Sequence, residues 1–281
     1  MAVETTTFSN NSADTWFRDI MFDCVLCPRA CHVNRLAGQT GYCGQTAELM
    51  AARASLHYWE EPCISGTSGS GTVFFSGCNL RCVFCQNHNI ALGKAGRVIA
   101  PEHLAEIFLQ LQEQGANNIN LVTPTHFLPQ IVIALEQAKQ QGLHLPIVYN
   151  TGSYESPEAL RHLEGLVDIY LPDLKYFSPE LSTAYSHAPD YFETACAAIS
   201  EMYRQVGDSV IDEDTGLMQH GMIVRHLLLP GQTKDSKKIL RYLHETYGNH
   251  IYISIMNQYT PLPQVADIEV LNRTVTPEEY D

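Results

Sequence analysis

The chain has 281 residues, enough for about two domains or for one α/β barrel with an appended segment, and 45% of them are hydrophobic, enough for a sizeable core. Its 17 basic and 31 acidic side chains give a formal charge of −14, which argues against nucleic-acid binding through the phosphate backbone. No apolar run approaches the roughly 18 residues of a membrane span and the first residues lack a secretory signal, so we expect a cytoplasmic protein with no membrane partner.

The composition divides the chain into three parts. Residues 1–23 are rich in Thr, Ser and Asn and predict a flexible N-terminal tail. Residues 24–71 are predicted to form a Cys-rich metal-binding extension that ends, from residue 61, in a glycine-rich entry loop. Residues 72–281 form the predicted main domain.

Short β-prone runs alternate with helical segments in the main domain. The predicted strands are Thr72–Ser76, Asn118–Val122, Ile147–Asn150, Asp168–Leu171, Met222–Leu228 and Ile251–Ile255. Predicted helices run from Pro101 to Gly115, Pro129 to Gly142, Ser156 to about Gly165, Asp190 onward, and Lys234 to Tyr247. This order predicts an α/β fold, a partial (β/α)6 TIM-like barrel with the N-terminal Cys-rich extension, and an open doubly wound sheet is the alternative. In such barrels the chemistry lies at the carboxyl ends of the strands.

Three cysteines follow the first predicted strand directly. Cys78, Cys82 and Cys85 have C-x3-C-x2-C spacing. Three thiolates can hold three irons of a [4Fe–4S] cluster and leave the fourth iron open to a ligand with an amine and a carboxylate. A zinc site that lacks its fourth ligand is the alternative interpretation.

The segment that contains these cysteines, Gly-Cys-Asn-Leu-Arg-Cys-Val-Phe-Cys-Gln-Asn from Gly77, resembles the cluster loop of the radical S-adenosylmethionine (SAM) superfamily. The resemblance implies that the three cysteines ligate a [4Fe–4S] cluster, that SAM chelates its open iron, and that Phe84 packs near the adenine. It also implies a one-electron cleavage of SAM into methionine and a 5′-deoxyadenosyl radical, which abstracts hydrogen from a substrate.

Within that superfamily, residues 72–262 resemble the pyruvate formate-lyase activating enzymes. Asp173 and Lys175, in an Asp-Leu-Lys sequence, and Arg225, before a Pro-Gly turn, match positions that contact SAM. Asn150 loosely matches the polar end of the third strand. The chain has Thr-Pro-Thr-His from Thr123 where the family carries Gly-Gly-Glu, so Thr hydroxyls or backbone carbonyls would replace a carboxylate. The resemblance implies a protein substrate and an electron donor such as flavodoxin or ferredoxin.

A second group of cysteines precedes the barrel: Cys24, Cys27, Cys31 and Cys43. Four thiolates within 20 residues can close on zinc or hold another iron–sulfur cluster, and the spacing also leaves thiols without metal open. The two cysteine groups together support an alternative function, an electron-transfer or metal-binding scaffold without SAM chemistry.

Overall fold

The computed structural model describes residues 12–281. The helices are α1 Ser12–Phe22, α2 Pro62–Ser65, α3 His88–Ala91, α4 Pro101–Glu113, α5 Leu128–Gln140, α6 Pro157–Leu160, α7 Pro179–Ser186, α8 Tyr191–Val206, α9 Thr233–Tyr247 and α10 Pro277–Tyr280. The strands are β1 Met50–His57, β2 Ser70–Phe75, β3 Arg97–Val98, β4 Ile119–Val122, β5 Ile147–Thr151, β6 Ile169–Pro172, β7 Val210–Ile211, β8 Met218–Leu227 and β9 Tyr252–Met256. None of the helices in this part of the chain is both long and apolar enough to cross a bilayer.

The strands form one sheet, in which β2, β4, β5, β6, β8 and β9 run parallel in that order. Strand β1 pairs antiparallel with β2 and carries β3 at its far edge, while β7 pairs antiparallel with β8. Within residues 12–281 no strand pairing joins β9 back to β1 or β3, so the sheet is open. The α/β fold and all six parallel strands are therefore confirmed.

The inside of the sheet is apolar near the amino ends of the strands and polar near their carboxyl ends. Side chains two residues apart share a face of a strand, so Val148 and Asn150 of β5 both point inward. Val148 packs in a small apolar cluster with Ile169, Ile223 and Ile64 of α2. Helix α2 thus closes the barrel at the amino ends of the strands. The space between this cluster and the carboxyl ends is left for polar groups.

The predicted N-terminal tail is wrong for residues 12–22. This segment forms α1, in which Phe17 and Met21 are buried in the main hydrophobic core. The Thr/Ser/Asn-rich composition did not reveal this helix because only one apolar stripe of it packs on the barrel. The rest of the predicted tail, residues 1–11, lies outside the described residues.

The predicted glycine-rich entry loop is also corrected. Residues 61–71 contain α2 and the start of β2, and Ser70 and Gly71 are buried. A side chain at Gly71 would lie 2.9 Å from the carbonyl oxygen of Asn118, so this glycine permits the close approach of two strands. Strand β1 likewise lies inside the segment that was predicted to be a metal-binding extension.

We expect Met21→Ala to lower the free energy of unfolding by about 2–4 kcal/mol, because a fully buried side chain leaves a cavity behind. The neighbouring Phe22 is 64% exposed, and Phe22→Ala should change stability by less than about 0.5 kcal/mol. Urea unfolding of both variants measures the difference. Equal and small effects would show that α1 does not belong to the folded core.

Candidate functional site

A cavity of about 650 Å³ opens at the carboxyl ends of the parallel strands. Every residue that the sequence assigned to the cluster or to SAM lines it: Cys78, Cys82, Cys85, Phe84, Thr123, Asn150, Asp173, Lys175 and Arg225. They come from the loop after β2 and from the ends of β4, β5, β6 and β8. The parallel arrangement brings these chain segments together because all carboxyl ends meet at one edge.

The loop after β2 turns sharply at Gly77, whose φ is +90°. A side chain there would lie 2.8 Å from the carbonyl oxygen of Cys43, so only glycine fits between the loop and the N-terminal cysteine segment. Further along, the Cys85 N–H donates to the Cys82 carbonyl at 3.1 Å, which keeps these two cysteines on one turn.

The sulfurs of this loop accept hydrogen bonds. The Leu80 N–H donates to Cys78 Sγ at 3.3 Å, and the Ser186 hydroxyl donates to Cys82 Sγ at 3.0 Å. Burial raises the pKa of the Cys85 thiol to about 12 and also raises that of Cys78, so metal binding must displace their protons. Three thiols at one cavity, two of which accept hydrogen bonds, fit an iron–sulfur cluster with one open iron.

Arg225 is the centre of a charged network deeper in the cavity. Its Nε donates to Asp173 Oδ1 at 2.9 Å, its Nη1 to Glu60 Oε2 at 3.1 Å, and its Nη2 to Asn150 Oδ1 at 2.6 Å. Lys175 Nζ donates to Asp173 Oδ2 at 2.6 Å. The charged side chains expose only 10–19% of their area. Two carboxylates thus balance two cations.

The network keeps its members ionised despite their burial. Burial alone would raise the pKa of Asp173, but Arg225 and Lys175 outweigh it and hold that pKa below its usual value. Burial likewise would lower the pKa of Lys175, but Asp173 raises it above its usual value. Asp173 and Lys175 are therefore both charged near neutral pH.

Glu60 was missed by the sequence analysis. It lies between β1 and α2, and its Oε1 also accepts from Asn150 Nδ2 at 3.3 Å. The lack of a carboxylate after the second parallel strand was the one available signal, but it could not indicate which segment would provide the substitute.

Thr123 and Phe84 line the cavity in different ways. Thr123 has a φ of +56°, uncommon for a β-branched residue, and its N–H donates to the Asn150 carbonyl at 2.9 Å. Phe84 is only 8% exposed, with its ring edge-on to three tyrosines, so most of it is packing. Contact of Phe84 with an adenine stays a prediction.

A buried carboxyl group, Glu155, lies just outside the cavity and was also missed. Its Oε1 accepts hydrogen bonds from Thr125, Thr151 and Tyr149, while its Oε2 is buried and has no partner among residues 12–281. Burial raises the pKa of Glu155 to about 7. The Thr125 hydroxyl is therefore engaged by Glu155 and does not replace the missing family carboxylate.

The pKa of Glu155 predicts a pH-dependent stability. The folded state binds this proton more tightly than the unfolded state, so stability falls as pH rises from the unfolded pKa toward the folded one. We expect the wild type to lose about 2–3 kcal/mol relative to Glu155→Gln between about pH 5 and about pH 8. Parallel urea titrations test this, and parallel curves for both proteins would contradict it.

The second cysteine group, Cys24, Cys27, Cys31 and Cys43, lies on the side of the cluster loop that faces away from the cavity. Cys24 and Cys43 are buried, whereas Cys27 and Cys31 are partly buried. Across residues 12–281, no three Cys, His, Asp or Glu side chains converge closely enough to hold a single metal ion. A second metal centre at this group stays a prediction.

The open parallel barrel brings the three cysteines after its first strand and the ion pairs at its carboxyl end into one cavity, an arrangement that can hold a cofactor. The chain belongs to the radical SAM superfamily, whose sequence profile matches residues 72–243. Members of this superfamily are enzymes, and the family implies a [4Fe–4S] cluster and SAM binding.

Similar proteins include an uncharacterized protein of Methanocaldococcus jannaschii, 27% identical over 94% of this chain and 74% of that protein. The pyruvate formate-lyase-activating enzyme of Clostridium pasteurianum is 29% identical over 40% of this chain and 48% of that enzyme. Solved structures include native anSMEcpe with bound AdoMet, with 13% identity and TM-score 0.46 over 73% of this chain and 54% of that one. Methylornithine synthase has 16% identity and TM-score 0.42 over 69% of this chain and 59% of that one. The chain thus spans about half the length of the activating enzyme and of these two structures.

Proposed function

We propose that this protein cleaves SAM reductively at a [4Fe–4S] cluster held by Cys78, Cys82 and Cys85. The observation that carries the proposal is that these three cysteines and the Arg225 network line one cavity. When bound, the cluster supplies one electron to split SAM into methionine and a 5′-deoxyadenosyl radical, and this radical takes a hydrogen atom from the substrate. The protein provides the position of SAM and the exclusion of water.

The charged network has the composition that a zwitterionic amino-acid group requires. Arg225 and Lys175 offer cationic donors for a carboxylate, and an arginine can bind it with two parallel hydrogen bonds. Asp173 and Glu60 offer carboxylates for an ammonium group. Because the network is neutral before binding, a neutral zwitterion can exchange partners with it and leave no buried charge unpaired. We infer that Glu60 takes the place of the carboxylate that the family carries after its second parallel strand.

We expect Glu60→Gln to weaken SAM binding about tenfold, because the acceptor for the ammonium group changes from a carboxylate to a neutral amide oxygen. Equilibrium dialysis with the reconstituted protein measures the dissociation constant. Glu61→Gln is the matched control, since Glu61 lines the same cavity but makes no hydrogen bond to Arg225 or Asn150. Equal losses in both variants would remove Glu60 from the binding site.

We expect the wild type, reconstituted and reduced with dithionite under anaerobic conditions, to form 5′-deoxyadenosine from SAM. The variant Cys78→Ala/Cys82→Ala/Cys85→Ala should form none and should lose about four irons per polypeptide. Intact SAM after treatment of a fully reconstituted wild type would contradict the proposal. That result, with an EPR signal that SAM does not perturb, would favour an electron-transfer scaffold, the alternative that two cysteine groups support.

The local resemblance to an activating enzyme favours a protein as the substrate of this reaction. Trp59, which follows β1, and Ile255 of β9 both line the cavity and are 88% and 43% exposed. A polypeptide segment with a glycine could enter there, whereas a small molecule does not require exposed apolar groups at the mouth. Trp59→Ala would then leave SAM cleavage without substrate unchanged and reduce hydrogen transfer from a peptide.

We place the protein in the cytoplasm, with a flavodoxin- or ferredoxin-like electron donor.

A further inference from the structure

The four cysteines of the N-terminal segment are brought together by tight turns. The Cys24 N–H donates to the Val33 carbonyl at 3.1 Å and the His32 N–H donates to the Cys24 carbonyl at 3.1 Å, which closes a hairpin. Gly41 approaches Cys31 so closely that a side chain at Gly41 would lie 2.8 Å from its sulfur. Cys43 follows two residues after Gly41. The His32 ring pairs outward with Asp23 at the surface, so the cysteines alone form the donor set.

Backbone amides point at the sulfurs of this group as they do in the cluster loop. The N–H groups of Arg29 and Gln45 lie near the sulfurs of Cys27 and Cys43, each two residues further along the chain. The cluster loop has the same arrangement, in which Cys78 accepts from the Leu80 N–H. Amide donors stabilise a thiolate more than a neutral thiol, and they surround the sulfurs of metal centres.

A Tyr42 amide completes the set. Its N–H donates to Cys31 Sγ at 3.3 Å. One of the four N-terminal sulfurs therefore accepts a backbone hydrogen bond and two more have a backbone N–H nearby, which a hydrophobic thiol in an ordinary core does not require.

Three arginines bring positive charge to the same place. Arg35 is 1% exposed, and its guanidinium donates only to the carbonyls of Thr46 and His126. Arg29 donates to the carbonyls of Asn79, Ser186 and His187. The Arg81 guanidinium packs on Gly44, next to Cys43, and its Nε is buried without a partner among residues 12–281.

Carbonyl oxygens satisfy hydrogen bonds but do not neutralise a charge. In the described part of the chain these three arginines have no carboxylate partner, although the protein as a whole has an excess of 14 negative charges. Burying a cation without a counter-ion is costly. The Cys43 thiol is a group that can become anionic there, since Arg35 and Arg81 both lie beside Cys43.

We propose that Cys24, Cys27, Cys31 and Cys43 bind a second metal centre with four thiolate ligands and a net negative charge, which the three arginines balance. Its chemical class is a tetrathiolate centre, either an iron–sulfur cluster or zinc. A cluster binds each thiolate through a different iron, so it suits four sulfurs that do not meet at one point, and iron is the metal we expect. With all four ligands from protein, the centre has no open position for SAM.

The centre would stabilise the cluster loop on the side that faces the N-terminal cysteine segment. Arg29 joins the cysteine segment to Asn79 of that loop at 2.9 Å, and Gly77 packs on Cys43. Loss of the second metal is therefore expected to loosen the first site without removing its ligands.

Metal analysis tests the proposal independently of SAM chemistry. The protein with Cys78→Ala/Cys82→Ala/Cys85→Ala, reconstituted anaerobically, should still bind about four irons with sulfide, while Cys24→Ser/Cys27→Ser should lose that second set. Zinc in stoichiometric amount in the triple variant would still support four thiolate ligands but would overturn iron as the metal. A folded triple variant, verified by circular dichroism, that binds neither metal would overturn the proposal. SAM cleavage by the wild type is measured separately, so failure of one site is distinguishable from failure of the other.

Alkylation of the unmutated protein avoids any folding defect of a variant. The four N-terminal cysteines should resist iodoacetamide in the metal-loaded protein and become labelled after treatment with a chelator under reducing conditions. Cys63 and Cys196, which lie outside both groups, serve as internal controls and should label equally in both states. Full labelling of the four cysteines in the metal-loaded protein would contradict the proposal.

The charge balance has its own test. Arg35→Lys keeps a positive charge and Arg35→Gln removes it, while both lose the guanidinium hydrogen bonds. We expect the glutamine variant to release metal to a chelator about tenfold more readily than the lysine variant. Equal release would show that the charge of Arg35 does not stabilise the centre.

Discussion

The pairing of Arg225 with carboxylates from separate parts of the chain is the constraint on which the site depends. A guanidinium buried inside the cavity of a barrel requires counter-ions, and here they are Asp173 after β6 and Glu60 before α2. A backbone hydrogen bond joins the same two segments, since the Leu174 N–H donates to the Arg225 carbonyl at 2.9 Å. These bonds hold the ends of β6 and β8 and the connection after β1 around one polar space.

The cluster loop lies between that polar space and the N-terminal cysteine segment. On one side its cysteines line the cavity, and on the other Gly77 and Arg81 pack directly on residues 43–45. The position of the loop therefore depends on both the barrel and the segment. The N-terminal cysteine segment thus helps to position the cluster loop although it lies outside the matched family region, residues 72–243.

Charge is distributed unevenly over this acidic chain. Arginines and one lysine concentrate around the two cysteine groups. The buried carboxyl groups of residues 12–281 are either paired with cations or held by hydrogen bonds, from hydroxyl groups at Glu155 and from backbone amides at Asp235. Thiolate metal centres carry negative charge, which the net negative charge of this chain would repel. Arginines and lysines around the cysteines would offset that repulsion. The net charge of the chain conceals this local balance.

The sequence by itself determined the six parallel strands, the three cluster cysteines and the residues Asn150, Asp173, Lys175 and Arg225 at the cavity. Each of these is a local signal, a β-prone run or a motif at the end of one, and parallel strands bring such ends together without further information. Strand β1 had no such signal: its residues, Met-Ala-Ala-Arg-Ala-Ser-Leu-His, have no β-branched or aromatic member and most are partly buried on both faces. Only the tertiary structure decided the role of Glu60, which meets Arg225 from 165 residues away, and the seating of Arg35 beside Cys43. The physical reason is that a side chain's charge partner is set by packing, which brings distant segments together and is not encoded in either segment alone.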